Sequence, residues 1–180
     1  QTCARCHGTY QTDTEGLPLY EAPKWVPWTR VRTDRDRLDG NTSLFRNLVA
    51  SSSMNDLIQA TALGDGYFAP RLVGIWARFP YLHHGAVPSI AALLTPSSER
   101  PRVFSLREAG EKKRFDSMTL GLTVPAAGSK EEVKLLEKAA KGDREIYFTD
   151  RVGHSAQGHE FYTGLSSDEK LDLIEYLKTL

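Results

Sequence analysis

Cys3 and Cys6 are the only two cysteines in a chain of 180 residues, and a histidine follows the second directly, so that the segment reads Cys3-Ala4-Arg5-Cys6-His7. Thiols this close in sequence cannot close the long loop through which a disulfide stabilises a fold. They can add to the two vinyl groups of a haem, and the next residue then places an imidazole on the iron. The spacing therefore predicts one covalently attached haem c, with its iron held on one side by His7. Other uses of paired cysteines fit less well. A thioredoxin-like redox pair needs a strand leading into the motif, and only Gln1 and Thr2 precede Cys3. A zinc site needs further cysteine or histidine ligands nearby, and the next histidine is His83.

A haem iron has a second axial position, and the candidates for it are His159, His154, His83, His84, Met54 and Met118. His154 and His159 share a loop from Gly153 to Gly164 that carries three glycines, which let a backbone pass close to a flat cofactor. That loop leads into the last helix, which is expected to cross near the attachment motif. His159 is accordingly the expected distal ligand, with His154 and Met54 as its alternatives. Two protein ligands leave no open iron position, so the leading expectation is electron transfer, at a lower potential than a Met/His pair sets. The rival is a peroxidase or oxygenase with an open iron. No obvious distal acid–base pair accompanies it here. A buried haem must also satisfy two propionates, and Trp76, Arg71 and Arg78 supply donors for them. His83 is expected near the haem edge, its ring bonded to backbone.

These residues need elements to hold them, and the pattern predicts a mainly α, cytochrome c-like helical domain around one haem, with long irregular loop insertions. From Gly8 to Gly40 the sequence is rich in Pro, Thr, Asp and Arg, includes Trp25 and Trp28, lacks a sustained apolar period and reads as a long ordered loop. Asn41 or Thr42 caps a helix whose Leu44, Phe45, Leu48 and Val49 form an apolar face suited to a haem pocket. A short helix runs from Pro88 or Ser89 through Ile90, Leu93 and Leu94. Ser129 caps a charged surface helix bearing Val133, Leu136 and Ala140 on one face. Ser166 and Glu169 form a capping box ahead of Leu173, Ile174, Leu177 and Leu180. A helix normally precedes an attachment motif of this kind, and none is visible, so residues 1–180 read as a single haem domain of a longer protein that lacks its N-terminal helix.

The run Gly74-Ile75-Trp76-Ala77-Arg78-Phe79-Pro80-Tyr81-Leu82-His83-His84-Gly85-Ala86-Val87-Pro88-Ser89, within Tyr67 to Leu94, resembles the C-terminal haem domain of the di-haem cytochrome c peroxidase superfamily, in particular its rubber-oxygenase-like branch. Arg100-Pro101 with Phe104, then Gly158-His159-Glu160-Phe161, then Leu165-Ser166 and the closing helix, follow in the order found there. The resemblance implies a distal ligand near His159, where peroxidase sequences of the superfamily place a methionine. It also implies that any catalysis belongs to a di-haem whole whose open haem lies in a preceding domain or here. His84 stands where resembling sequences usually carry Asn or Asp, so no role passes to it.

Charge excludes one class of partner. The 23 basic and 23 acidic residues balance, which argues against a nucleic-acid-binding face. No apolar run approaches the roughly 18 residues of a membrane span. The expected partner is a redox protein or a second haem domain. Because thioether attachment takes place outside the cytoplasm, a periplasmic or exported bacterial location is expected.

Overall fold

A computed structural model of the chain describes residues 3–21, 24–57, 64–107 and 115–180. Ala4–His7 form one helical turn, α1, followed by an antiparallel hairpin of β1 (Tyr10–Thr12) and β2 (Pro18–Tyr20). β3 (Trp25–Pro27) leads into the helices α2 (Trp28–Val31), α3 (Asp36–Asp39) and α4 (Ser43–Ala50). β4 (Gly66–Phe68) then returns to pair with β3. After α5 (Ile90–Leu93) come β5 (Val103–Ser105) and the short pair β6 (Phe115–Asp116) and β7 (Gly121–Leu122). The chain closes with α6 (Lys130–Ala140), β8 (Ile146–Phe148), which pairs with β5, and α7 (Ser167–Lys178).

This architecture corrects the expectation of a mainly α domain. Helix accounts for only 35% of the structure and strand for 15%, and the strands form separate two-stranded ladders. The stretch from Gly8 to Gly40, expected as a loop, holds β1, β2, β3, α2 and α3. Strands of two or three residues are too short for alternation to be recognised in the sequence, and two of the ladders join distant segments: Trp25 pairs with Phe68 and Val103 with Phe148.

Local signals work where they are purely local. Side-chain oxygens of Thr42, Ser89, Ser129 and Ser166 accept hydrogen bonds from the backbone N–H of Phe45, Ala92, Glu132 and Glu169 at 3.1, 3.1, 3.1 and 3.2 Å. Glu169 completes the capping box by accepting from Ser166 N at 2.7 Å. Each cap of this kind contributes about 1 kcal/mol. The apolar face of α4 behaves differently from expectation, since Leu44, Phe45 and Leu48 are exposed and only Val49 is buried.

Alternation along β5 and β8 divides the interior. Phe104 and Tyr147, opposite each other with rings stacked at 5.1 Å, face the main core, whereas Val103 and Ile146 pack against Ala139, Leu135 and Leu136 of α6. The main core joins Ile75, Tyr81, Val87, Ile90, Leu120, Leu122, Ile174 and Leu177. The buried Tyr81 hydroxyl donates to the carbonyls of Ile75 and Leu120 at 3.2 and 3.0 Å, which ties the segment before α5 to the core without an unsatisfied polar group. No helix among the described residues is long and apolar enough to cross a membrane.

Candidate haem site

In one helical turn, residues i, i+3 and i+4 share a face, so α1 turns the side chains of Cys3, Cys6 and His7 toward the same cavity. Neither cysteine is joined in a disulfide. The turn is anchored to the segment before the Ile75–Ala77 turn at two points. His7 Nδ1 donates to the carbonyl of Pro70 at 2.8 Å, and the Tyr10 hydroxyl donates to the His7 carbonyl at 3.2 Å while accepting from Leu72 N at 2.5 Å. A proton fixed on Nδ1 leaves the lone pair on Nε2, as a metal-bound histidine requires. Burial lowers the His7 pKa, with the Pro70 carbonyl opposing part of that shift.

The cavity measures about 560 Å³, within the roughly 300–1,000 Å³ typical of cofactor sites. Its walls are apolar: Val26 from β3, Leu72 and Ile75, Ile90, Leu93 and Leu94 around α5, and Leu173 and Leu177 from α7. Across it, the His159 ring faces His7 with ring centroids 6.2 Å apart and planes at 61°. Two imidazoles on opposite walls of one apolar cavity are a donor pair of the kind that can hold a metal ion between them. Phe161 packs edge-on against His159 at 5.2 Å. Burial, followed by the His7 and Arg100 charges, pushes the His159 pKa down to about 4, so the ring is neutral and offers a lone pair. Among the described residues no three His, Cys, Asp or Glu side chains gather as a metal site. Two facing imidazoles, two adjacent thiols and an apolar slot form a donor set that fits an iron whose remaining ligands come from a macrocycle.

The other candidates for the second axial position fall elsewhere. Met54 and Met118 are 51% and 64% exposed, and neither lines the cavity. His154 stacks on Tyr147 at 4.7 Å, away from the cavity lining. His83 does line it, held by stacking on Tyr67 at 4.7 Å and on His84 at 4.2 Å. Its expected ring-to-backbone bond belongs instead to His84, whose Nε2 donates to Ser155 O at 2.8 Å.

Of the three expected propionate donors, Arg78 lines the cavity and donates to the carbonyls of Arg71 and Val73 at 3.3 and 2.7 Å. Trp76, 44% exposed, and Arg71 do not line it. Two arginines unremarked in the sequence do so: Arg30 on α2, over the Phe161 ring at 5.8 Å, and Arg37 on α3, which donates to His83 O at 3.1 Å. Among the described residues, no Asp or Glu lines the cavity. The signal that could have found them is the density of arginine around Trp28, within a stretch expected to be loop.

Comparison with known proteins agrees with this geometry at the level of the domain. Residues 66–105 match the family described as RoxA-like, cytochrome c-like. That match spans the cavity wall from Tyr67 through α5 and Arg100. Two uncharacterised proteins of Sinorhizobium fredii are similar to the chain: y4iJ, 38% identical over 123 residues, and y4iM, 36% identical over 141 residues. The alignments cover 63% and 69% of this chain, and 18% and 30% of those proteins. The chain thus spans less than a third of either curated relative. It carries a cytochrome c-like region of the RoxA-like kind.

Proposed function

We propose that residues 1–180 form one haem c domain that transfers electrons, with Cys3 and Cys6 in the thioether links and His7 and His159 as axial ligands. The observation that carries this reading is the pair of facing imidazoles 6.2 Å apart across an apolar cavity. When bound, the haem supplies a one-electron ferric/ferrous couple. The chain's own residues do the rest. His7 is aimed by its bond to Pro70, and His159 by Phe161 and its backbone. Arg30, Arg37 and Arg78 set three cations around a cavity lined by no carboxylate among the described residues, a place suited to the two propionates. A bis-imidazole iron lacks the methionine that raises the potential, so the couple is low.

The length of the relatives favours a second reading for the parent protein: a larger di-haem oxidoreductase of the peroxidase or oxygenase kind, in which this domain exchanges electrons with a catalytic haem elsewhere. The location proposed for it is periplasmic or exported, where thioether attachment takes place.

The test is the optical spectrum of the haem-loaded chain. Wild type is expected to be low-spin in both oxidation states. His159→Ala should become high-spin or bind carbon monoxide when ferrous, and His159→Met should stay low-spin at a higher potential. An unchanged spectrum in His159→Ala, with the change appearing in His154→Ala or Met54→Ala, reassigns the ligand.

A further inference from the structure

Arg100 is an arginine with only 4% of its surface exposed, in a chain whose ion-pairing arginines sit at the surface. Among the described residues it makes no ion pair. Its side-chain hydrogen bonds go to backbone carbonyls of two segments. Toward α5, Nη2 donates to Leu93 O at 3.2 Å and Nε to Thr95 O at 3.3 Å. Toward the loop before α7, Nη1 donates to Ala156 O at 2.5 Å and to Gly158 O at 2.9 Å. One planar fork therefore ties a wall of the cavity to the loop that carries His159.

The second of those loop carbonyls belongs to the peptide that joins Gly158 to His159. The N–H of the same peptide donates to Val31 O at 2.7 Å. Both of its polar ends are thus held, by Arg100 on one side and α2 on the other. The clamp has work to do, because Gly158 and His159 are both left-handed, at φ of 83° and 57°, and a histidine in that region persists only where its surroundings impose it. Glu160, next to His159 in the chain, is exposed and accepts from Ser97 N at 2.9 Å; it acts on Arg100 only through space, and Arg100 has no ion-pair partner among the described residues.

We propose that Arg100 is the positioning residue of the distal ligand: its fork holds the strained Gly158–His159 peptide so that the imidazole meets the iron, and its unpaired buried charge raises the haem potential. The proposal rests on His159 being that ligand. A cation near the iron stabilises the ferrous form, which carries one positive charge less. A lysine at the same place keeps the charge as a point but cannot span four carbonyls, and a glutamine removes the charge.

Arg100→Lys and Arg100→Gln in the haem-loaded full chain separate the two effects. Ferrous wild type should bind carbon monoxide slowly, and Arg100→Lys should bind it at least about tenfold faster, with shifted low-spin electron paramagnetic resonance g-values and a potential near wild type. Arg100→Gln should show the same loosening and, in addition, favour the ferric state about tenfold, a fall of about 59 mV for a one-electron couple. Wild-type carbon monoxide kinetics and g-values in Arg100→Lys overturn the positioning role, and a wild-type potential in Arg100→Gln overturns the charge effect. If Arg100→Gln does not fold, Arg100→Met measured beside Arg100→Lys takes its place in the potential comparison. His159→Ala is the control for the underlying reading: a low-spin spectrum there removes the ligand itself, whereas a high-spin spectrum with unaltered Arg100 variants removes this proposal alone.

Discussion

Replacing Gly158 by alanine separates the strain of a left-handed backbone from the cost of a close approach, because Gly142 shares the first without the second. Their φ angles are 83° and 84°. A β-carbon at Gly142 meets nothing within 4 Å, whereas one at Gly158 would lie 2.4 Å from the carbonyl carbon of Arg32 and 2.5 Å from Thr33 N. The backbone term alone costs about 1–2 kcal/mol in either variant. At Gly158 the contacting atoms are main chain and cannot rotate aside, so the loop must retreat by most of an ångström. That movement breaks the hydrogen bonds to Val31 O and Arg100, each worth about 1 kcal/mol or more. Gly158→Ala is therefore expected to cost about 3–4 kcal/mol, a melting temperature lower by roughly 6–16 °C for a chain of this size. Gly142→Ala should fall by no more than roughly 2–8 °C. Differential scanning calorimetry of the haem-loaded protein reads both, and the visible spectrum reads the ligand: Gly158→Ala should gain a high-spin fraction and Gly142→Ala none. Equal melting temperatures and identical low-spin spectra in the two variants would refute the reasoning that the Gly158–Arg32 contact sets the position of His159.

Acid should destabilise the fold through His83, whose pKa is pushed down to about 4 by burial, then His84 and Arg37, with Asp34 opposing. Its folded value lies below the ordinary 6.5, so its neutral form costs nothing above that pH, and stability is lost as pH falls from about 6.5 toward 4 because the unfolded chain takes up a proton that the folded one excludes. His83→Phe keeps a ring against Tyr67 and cannot titrate. Its melting temperature should fall less steeply over that window, and an unchanged slope counts against the assignment. Arg30→Gln combined with Arg37→Gln should move the pH dependence of the haem potential to higher pH, since a carboxylate that loses its cation holds its proton more tightly. Superimposable potential–pH curves would rule out those arginines as propionate partners.

What was legible in the sequence is what a few consecutive residues settle among themselves. The segment from Cys3 to His7 is one helical turn, so Cys3, Cys6 and His7 share a face whatever the rest of the chain does. The caps at Thr42, Ser89, Ser129 and Ser166 close within three residues, and the helices begin where the sequence says they begin. The stripe of α4 shows the limit of such reasoning: periodicity marks an apolar face but not what covers it, and Leu44 and Leu48 lie exposed.

Only the tertiary structure decided the other side of the site. His159 is positioned by Val31 and Arg100, 128 and 59 residues earlier in the chain, and a hydrogen bond across that distance leaves no spacing to read. The same holds for the short strands that made the fold less helical than expected, because β3 exists as a strand through β4 and β5 through β8. Arg30 and Arg37 came to the cavity on short helices inside what reads as loop, and Trp76 and Arg71, closer in sequence to the signature turn, did not. Local chemistry determines which atoms can bind a haem; long-range backbone pairing determines which of them meet, since the entropy of closing those loops is offset only when the whole core packs.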